Sequence, residues 1–182
     1  YVYFARLLEA DKQYEEAVVQ FNKALSMDKS HTEIYKDISD VYEKKRDFPK
    51  AIEAYKNYLD EMKSSPDISD LFLYGRLNYY AATDSAYQDK QPTYVAEADT
   101  IFAQVAVKVP DNYLGNFWRA RVNSLRDPET TQGLAKPYYE AALSILEQKP
   151  DATKSVLVEC NSYLGYYYFV KEDYNQSKQY WN

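Results

Sequence analysis

The sequence of 182 residues is poor in the residues on which many catalytic and metal sites depend. It has one cysteine, Cys160, and one histidine, His31. A single cysteine forms no intrachain disulfide, and so few cysteine and histidine side chains argue against a zinc site. Nor do four scattered glycines supply a phosphate-binding loop. We therefore predict that the protein is not an enzyme and carries no metal or cofactor.

Other shortages narrow the class of protein further. Glycine, at 4 residues, is too rare for a turn-rich β architecture and suits long helices joined by short turns. No apolar run approaches the roughly 18 residues of a membrane span, so we predict no membrane insertion. The formal net charge is −6. Since phosphate contacts need clustered Lys and Arg, we predict no nucleic-acid partner.

The ends of the chain suggest that it is an excised piece. It begins with Tyr1 rather than Met and has no signal peptide. The lone cysteine fits a reducing compartment without excluding a bacterial periplasm, so the localisation stays open between cytoplasmic and periplasmic.

Aromatic residues, by contrast, are abundant, with 21 Tyr, 7 Phe and 2 Trp, and many of them recur at a fixed interval. A shift of 34 residues keeps the size and polarity of eight pairs. The pairs are Tyr1/Tyr35, Phe4/Ile38, Ala5/Ser39, Leu8/Tyr42, Tyr14/Phe48, Ala17/Ala51, Phe21/Tyr55 and Leu25/Leu59. Such a repeat predicts stacked helical hairpins, each a helix A followed by a helix B.

The pattern resembles the tetratricopeptide repeat, W-x2-L-G-x2-Y followed by A-x3-F. The first unit reads Tyr1-x2-Phe4-Ala5-x2-Leu8 and then Ala17-x3-Phe21; a later one has Leu164-Gly165-x2-Tyr168 and then Ser177-x3-Trp181. The resemblance implies an all-α, right-handed α-solenoid of antiparallel helix pairs. We predict one continuous repeat domain over 1–182, with units of approximately 1–31, 32–65, 66–110, 111–149 and 150–182.

Two units are irregular, and the first and last are truncated. The third carries about 11 extra residues, which we place at Asp84 to Thr93 as a longer loop or extra helical turns. The fourth has a smaller insertion, from Arg126 to Gly133, and we expect Pro137 in the first turn of its helix B. The sequence also predicts helix caps at Ser65, Asp111 and Asp151.

The family resemblance implies a scaffold that holds a protein or peptide on its concave, helix A face. The positions three before, one after and four after each small helix A residue should line that face. In the last three units they give Ser124 and the predicted partner-binding residues Phe72, Arg76, Tyr79, Phe117, Arg121, Ser162, Tyr166 and Phe169. Because aromatic and Arg side chains are favoured in binding hot spots, these units are the expected binding region.

Other readings of the sequence stay open. The chain could be a docking or regulatory module of a larger enzyme, or a glycan- or ligand-binding, envelope-associated helical protein, since fold alone does not choose among them. The truncated last unit, in which Trp181 occupies the position of Phe21, also suggests that the natural protein continues or that this end pairs with another copy.

Overall fold

A computed structural model describes residues 1–62, 64–149, 151 and 153–181. In this part of the chain there are ten α-helices and one 3-10 helix, Ser85–Lys90, and no strand. The α-helices are α1 (Val2–Ala10), α2 (Tyr14–Met27), α3 (Glu33–Lys44), α4 (Phe48–Glu61), α5 (Ile68–Thr83), α6 (Gln91–Lys108), α7 (Leu114–Arg126), α8 (Lys136–Leu146), α9 (Lys154–Val170) and α10 (Tyr174–Trp181). The predicted all-α fold of helix pairs is confirmed.

The chain divides into two compact units, Tyr1–Ala81 and Ala82–Asn182. The first contains α1 to α4 and most of α5, and the second contains the end of α5 and the remaining helices. The single domain with its five repeat boundaries stays a prediction.

The two helices of a hairpin cross where the repeat places its small residues. Ala5 and Ala17 are fully buried in the first hairpin. In the second, the Ser39 hydroxyl donates a hydrogen bond of 2.8 Å to the Ala51 carbonyl. The last hairpin has the mirror arrangement, with Ser177 on helix B donating to Gly165 on helix A at 2.8 Å. Small side chains let the backbones approach, and the hydroxyls satisfy carbonyl groups at the crossing.

Three turns between helix A and helix B share one left-handed residue. Lys12, Arg46 and Glu172 have φ angles of 61°, 59° and 62°. The N–H groups of Lys12 and the following Gln13 donate to the carbonyls of Glu9 and Leu8, which is the Schellman pattern of helix termination. Each turn therefore places a side chain in a conformation that glycine adopts more readily.

Replacing Lys12 by glycine should stabilise the protein. Glycine removes the left-handed penalty at an exposed position, so we expect the free energy of unfolding to rise by about 0.5–1 kcal/mol. Urea denaturation measures it. The matched control is Asp11→Gly, because Asp11 has an ordinary φ of −80° and gains nothing from glycine. A Lys12→Gly protein that is less stable than wild type would contradict this account of the turn.

The insertion in the third repeat unit is helical. Of the two predicted alternatives, a longer loop or extra helical turns, the structure has helical turns. Asp84 accepts a hydrogen bond from the Ala86 N–H at 3.0 Å and so starts the 3-10 helix. This helix leads directly into α6, which has 18 residues and carries Pro92 in its first turn. Pro137 likewise lies in the first turn of α8, as predicted.

The predicted helix caps at Ser65, Asp111 and Asp151 are wrong. Before α5 the cap belongs to Asp67, whose carboxylate accepts from the Asp70 N–H at 2.8 Å while Asp70 accepts from the Asp67 N–H. Before α7 the Asn112 side chain accepts from the Leu114 N–H at 2.9 Å. Residue Thr153 precedes α9 and makes no side-chain cap. Each of these helices begins three residues after the predicted cap.

A buried carboxylate organises the insertion of the fourth unit. Asp127 Oδ2 accepts hydrogen bonds from the N–H groups of Gln132, Gly133 and Leu134 at 3.0, 2.7 and 3.4 Å. Burial opposes its ionisation, but these donors and the Thr131 hydroxyl outweigh burial and lower the pKa of Asp127. Gly133, with a φ of 72°, closes the loop against the Tyr167 ring.

Asp127→Asn should destabilise the compact unit Ala82–Asn182 in a pH-dependent way. At neutral pH the amide group faces N–H donors and cannot accept from all of them, so a loss of about 1–3 kcal/mol is expected. Because the folded pKa is lowered, the carboxylate's contribution is present above the unfolded pKa near 4 and disappears as pH falls through the folded pKa. Denaturation of both proteins from neutral pH down to pH 3 measures the difference, which should shrink on acidification. A gap that is constant with pH would contradict the role of the ionised form.

Candidate partner-binding face

The first helices of the hairpins carry the predicted binding positions. They are α1, α3 and α5 in the unit Tyr1–Ala81, and α7 and α9 in the unit Ala82–Asn182. In each unit, we call the side of these helices that carries the predicted positions its A-helix face. In the unit Tyr1–Ala81 this face is joined by ion pairs between successive A helices. Arg6 pairs with Asp37 at 3.0 Å, and Lys44 with Glu9 at 2.5 Å. These charges hold neighbouring hairpins in register and are not free to meet a partner.

The predicted residues of α5 lie on this face in the same unit, and all are half-buried. Arg76 pairs with Glu43 of α3 at 3.2 Å, and its guanidinium lies 5.7 Å from the centre of the Tyr80 ring. The Tyr79 and Tyr80 rings are 6.0 Å apart. Together with Phe72, α5 contributes an aromatic surface in which the arginine is already neutralised.

A polar cluster that sequence reasoning missed lies beside these residues. Lys36 of α3 reaches the buried Asp70 of α5 at 3.2 Å, and the Tyr55 hydroxyl donates to the same carboxylate at 3.3 Å. Burial lowers the pKa of Lys36, but the bond to Asp70 outweighs burial and raises it. Lys36 and Tyr55 also line a cleft of 240 Å³ with Asp37, Ser39, Asp40, Glu43, Leu73 and Leu77.

On α7 the two predicted residues contact each other; Phe117 faces inward, and Arg121 is half-buried. Phe117 is only 4% exposed, and its ring packs edge-on against Tyr139 at 6.2 Å. The Arg121 guanidinium lies 4.5 Å from the Phe117 ring and makes two bonds to Glu159 of α9, at 2.7 and 2.6 Å. Their observed role is to join α7 to α9, so we leave Phe117 out of the binding face proposed below.

The predicted residues of α9 are the most accessible of the set. Ser162 is exposed, and Tyr166 and Phe169 are 44% and 48% exposed with rings 6.5 Å apart and nearly parallel. Two exposed rings that the prediction missed extend this surface: Tyr174 lies 5.8 Å and Trp181 6.2 Å from Phe169. We call Tyr166, Phe169, Tyr174 and Trp181 the aromatic end face.

The remaining chemistry of the described residues is sparse. No three His, Cys, Asp or Glu side chains among them are placed to hold a metal ion. Cys160 is buried, and burial raises the pKa of its thiol to about 12, which keeps it protonated at neutral pH. In the described ranges, none of the helices has both the length and the apolar character that crossing a membrane requires.

Breaking the bond between Arg121 and Glu159 should loosen α7 from α9. Glu159→Gln removes the charge from a bidentate pair. The Glu159 carboxylate also accepts a hydrogen bond from the Tyr139 hydroxyl at 3.1 Å. We expect a loss of about 1–2 kcal/mol in the free energy of unfolding, measured by urea denaturation. Glu140→Gln is the matched control: it breaks a pair within one helix, with Lys136, and should cost only about 0.3–0.5 kcal/mol. Equal losses would show that the pair between helices has no special role.

Comparison with known proteins supports the fold. No protein-family model matches the sequence, and no curated protein matches it. Among solved structures, the C-terminal part of a TPR repeat-containing protein from Cytophaga hutchinsonii has a TM-score of 0.82 and 29% sequence identity. The match covers 99% of this chain and 65% of that one, so this chain spans less than two thirds of its length.

Two more distant structures share the fold. MamA has a TM-score of 0.68 and 15% identity over 99% of this chain and 91% of its own. YrrB, described as a TPR protein with an unusual peptide-binding site, has a TM-score of 0.63 and 18% identity over 99% of this chain and 80% of its own. The repeat pattern, the helix pairs of the described residues and these neighbours together show that the chain has the tetratricopeptide-repeat fold.

Proposed function

We propose that this chain is a protein- or peptide-binding scaffold rather than an enzyme, and that it binds through the A-helix face of α9. The observation that carries the proposal is the exposed, nearly parallel pair of Tyr166 and Phe169. Exposed aromatic side chains in contact form an apolar surface that a partner can cover, and rings lose little conformational entropy on binding. The tetratricopeptide fold, generally used for protein interaction, supports this assignment.

In this proposal the two predicted arginines do not bind the partner directly, although arginine is favoured in binding hot spots. Arg76 and Arg121 already pair with Glu43 and Glu159, so capturing a partner carboxylate would first require breaking an internal bond. They act instead by fixing the helices on which the aromatic side chains stand. YrrB, which shares the fold at 18% identity, is described as having a peptide-binding site, and this agrees with a peptide ligand.

A glycan ligand is the second candidate, because sugar rings stack on exposed aromatic faces. The near-parallel Tyr166 and Phe169 rings favour it, but their neighbours do not continue the platform. Tyr174 stands at 62° and Trp181 at 37° to Phe169. Rings at such angles enclose a side chain better than they follow a chain of sugars, so we favour a peptide.

The expected result is that Tyr166→Ala with Phe169→Ala abolishes partner capture. Truncating two aromatic contacts at the centre of an interface should weaken binding by about 30-fold or more. A peptide array, and pull-down from extract with identification of the captured proteins, measure binding; a glycan array run in parallel tests the second candidate.

The matched control is Val107→Ala, which removes an exposed apolar side chain on α6 away from the A-helix face. Circular dichroism checks that both variants remain helical. If the aromatic variant binds its peptides as wild type does while Val107→Ala does not, the binding surface lies elsewhere.

A further inference from the structure

The cleft beside α3 and α5, in the unit Tyr1–Ala81, has the size and lining for one long side chain; we call it the α3–α5 cleft. Its volume of 240 Å³ is below the roughly 300–1,000 Å³ of pockets that enclose a whole small molecule. Leu73 and Leu77 of α5 and the ring of Tyr55 supply apolar surface, and α3 supplies carboxylates. A side chain with an apolar stem and a polar end matches such a lining.

The cleft does not offer a positive charge to a partner. Lys36 is the one cation among its described lining residues, and its ammonium group lies 3.2 Å from the buried carboxylate of Asp70. The Tyr55 hydroxyl donates to the same carboxylate at 3.3 Å. A partner carboxylate would have to take Lys36 away from Asp70 and leave a buried charge without its cation, which is strongly unfavourable.

Asp40 is the carboxylate of the cleft that internal ion pairs satisfy least. The pairs across this face join four cations to five carboxylates, because Lys44 serves two of them. Lys44 lies 2.5 Å from Glu9 but 3.4 Å from Asp40. The Asp40 side chain is 61% exposed, whereas Asp37 and Glu43 are 23% and 24% exposed and have shorter ion pairs. Asp40 therefore gives the cleft a negative charge that these pairs do not balance.

We propose that the α3–α5 cleft binds one basic side chain, lysine or arginine, of a partner peptide. The cationic group pairs with Asp40, and the apolar stem packs against Leu73 and Leu77. Charge complementarity selects this occupant, because the cation of the lining is already neutralised and one of its carboxylates is not. The inference goes beyond the proposed function, since it adds a second site in a different compact unit from Tyr166 and Phe169.

The test is an NMR titration of the 182-residue chain with three capped tripeptides that differ only in the central side chain: lysine, norleucine or glutamate between two leucines. Each peptide is added up to about 10 mM, because a contact of this size supports only millimolar affinity. The lysine peptide should shift the amide signals of Asp40, Leu73 and Leu77. It should bind about tenfold more tightly than the norleucine peptide, and the glutamate peptide should bind most weakly.

Variants of Asp40 test the role of its charge. Asp40→Asn should remove most of the preference for lysine, and Asp40→Lys should reverse it in favour of the glutamate peptide. The matched control is Asp60→Asn, which removes the same charge from an exposed position of α4 outside the cleft lining and should bind as wild type does. This control separates the cleft from the general attraction of a chain of net charge −6 for cations.

The outcomes separate this site from the one on α9. The inference is overturned by a lysine peptide that causes no shift in the cleft, or by equal losses of preference in Asp40→Asn and Asp60→Asn. The preference should survive Tyr166→Ala with Phe169→Ala, and its loss there would place the lysine on the aromatic end face and overturn this inference alone. A lysine preference that depends on Asp40, together with partner capture that does not depend on Tyr166 and Phe169, would overturn only the α9 site.

Discussion

The close crossing of two helices within each hairpin is the constraint on which the structure depends. Small residues at the crossing, such as Ala5 with Ala17, bring the backbones together. Where serine replaces alanine, its hydroxyl bonds a carbonyl of the facing helix, as Ser39 and Ser177 do. Large side chains then protrude on both sides of the pair, and one hairpin cannot bury them alone. Stacking is therefore a consequence of the crossing.

The sequence predicted what depends on this periodicity and missed what depends on particular partners. The repeat of small and large residues predicted the helix pairs and the place of Pro137. It did not locate the caps, because neighbouring residues such as Asp111 and Asn112 are equally able to cap and differ only in where the helix begins. It also missed the pairing of Arg121 with Glu159, since an insertion separates these residues and changes their spacing from that of the regular units.

The binding positions show the same division. Counting from the small residues found the exposed pair of Tyr166 and Phe169 and also selected Phe117, which is buried. A position in a repeat fixes the side on which a residue lies, but the size of the neighbouring helices and side chains decides whether it reaches solvent. Trp181 was recognised from the sequence only as a repeat residue, because its exposure depends on what covers the last hairpin.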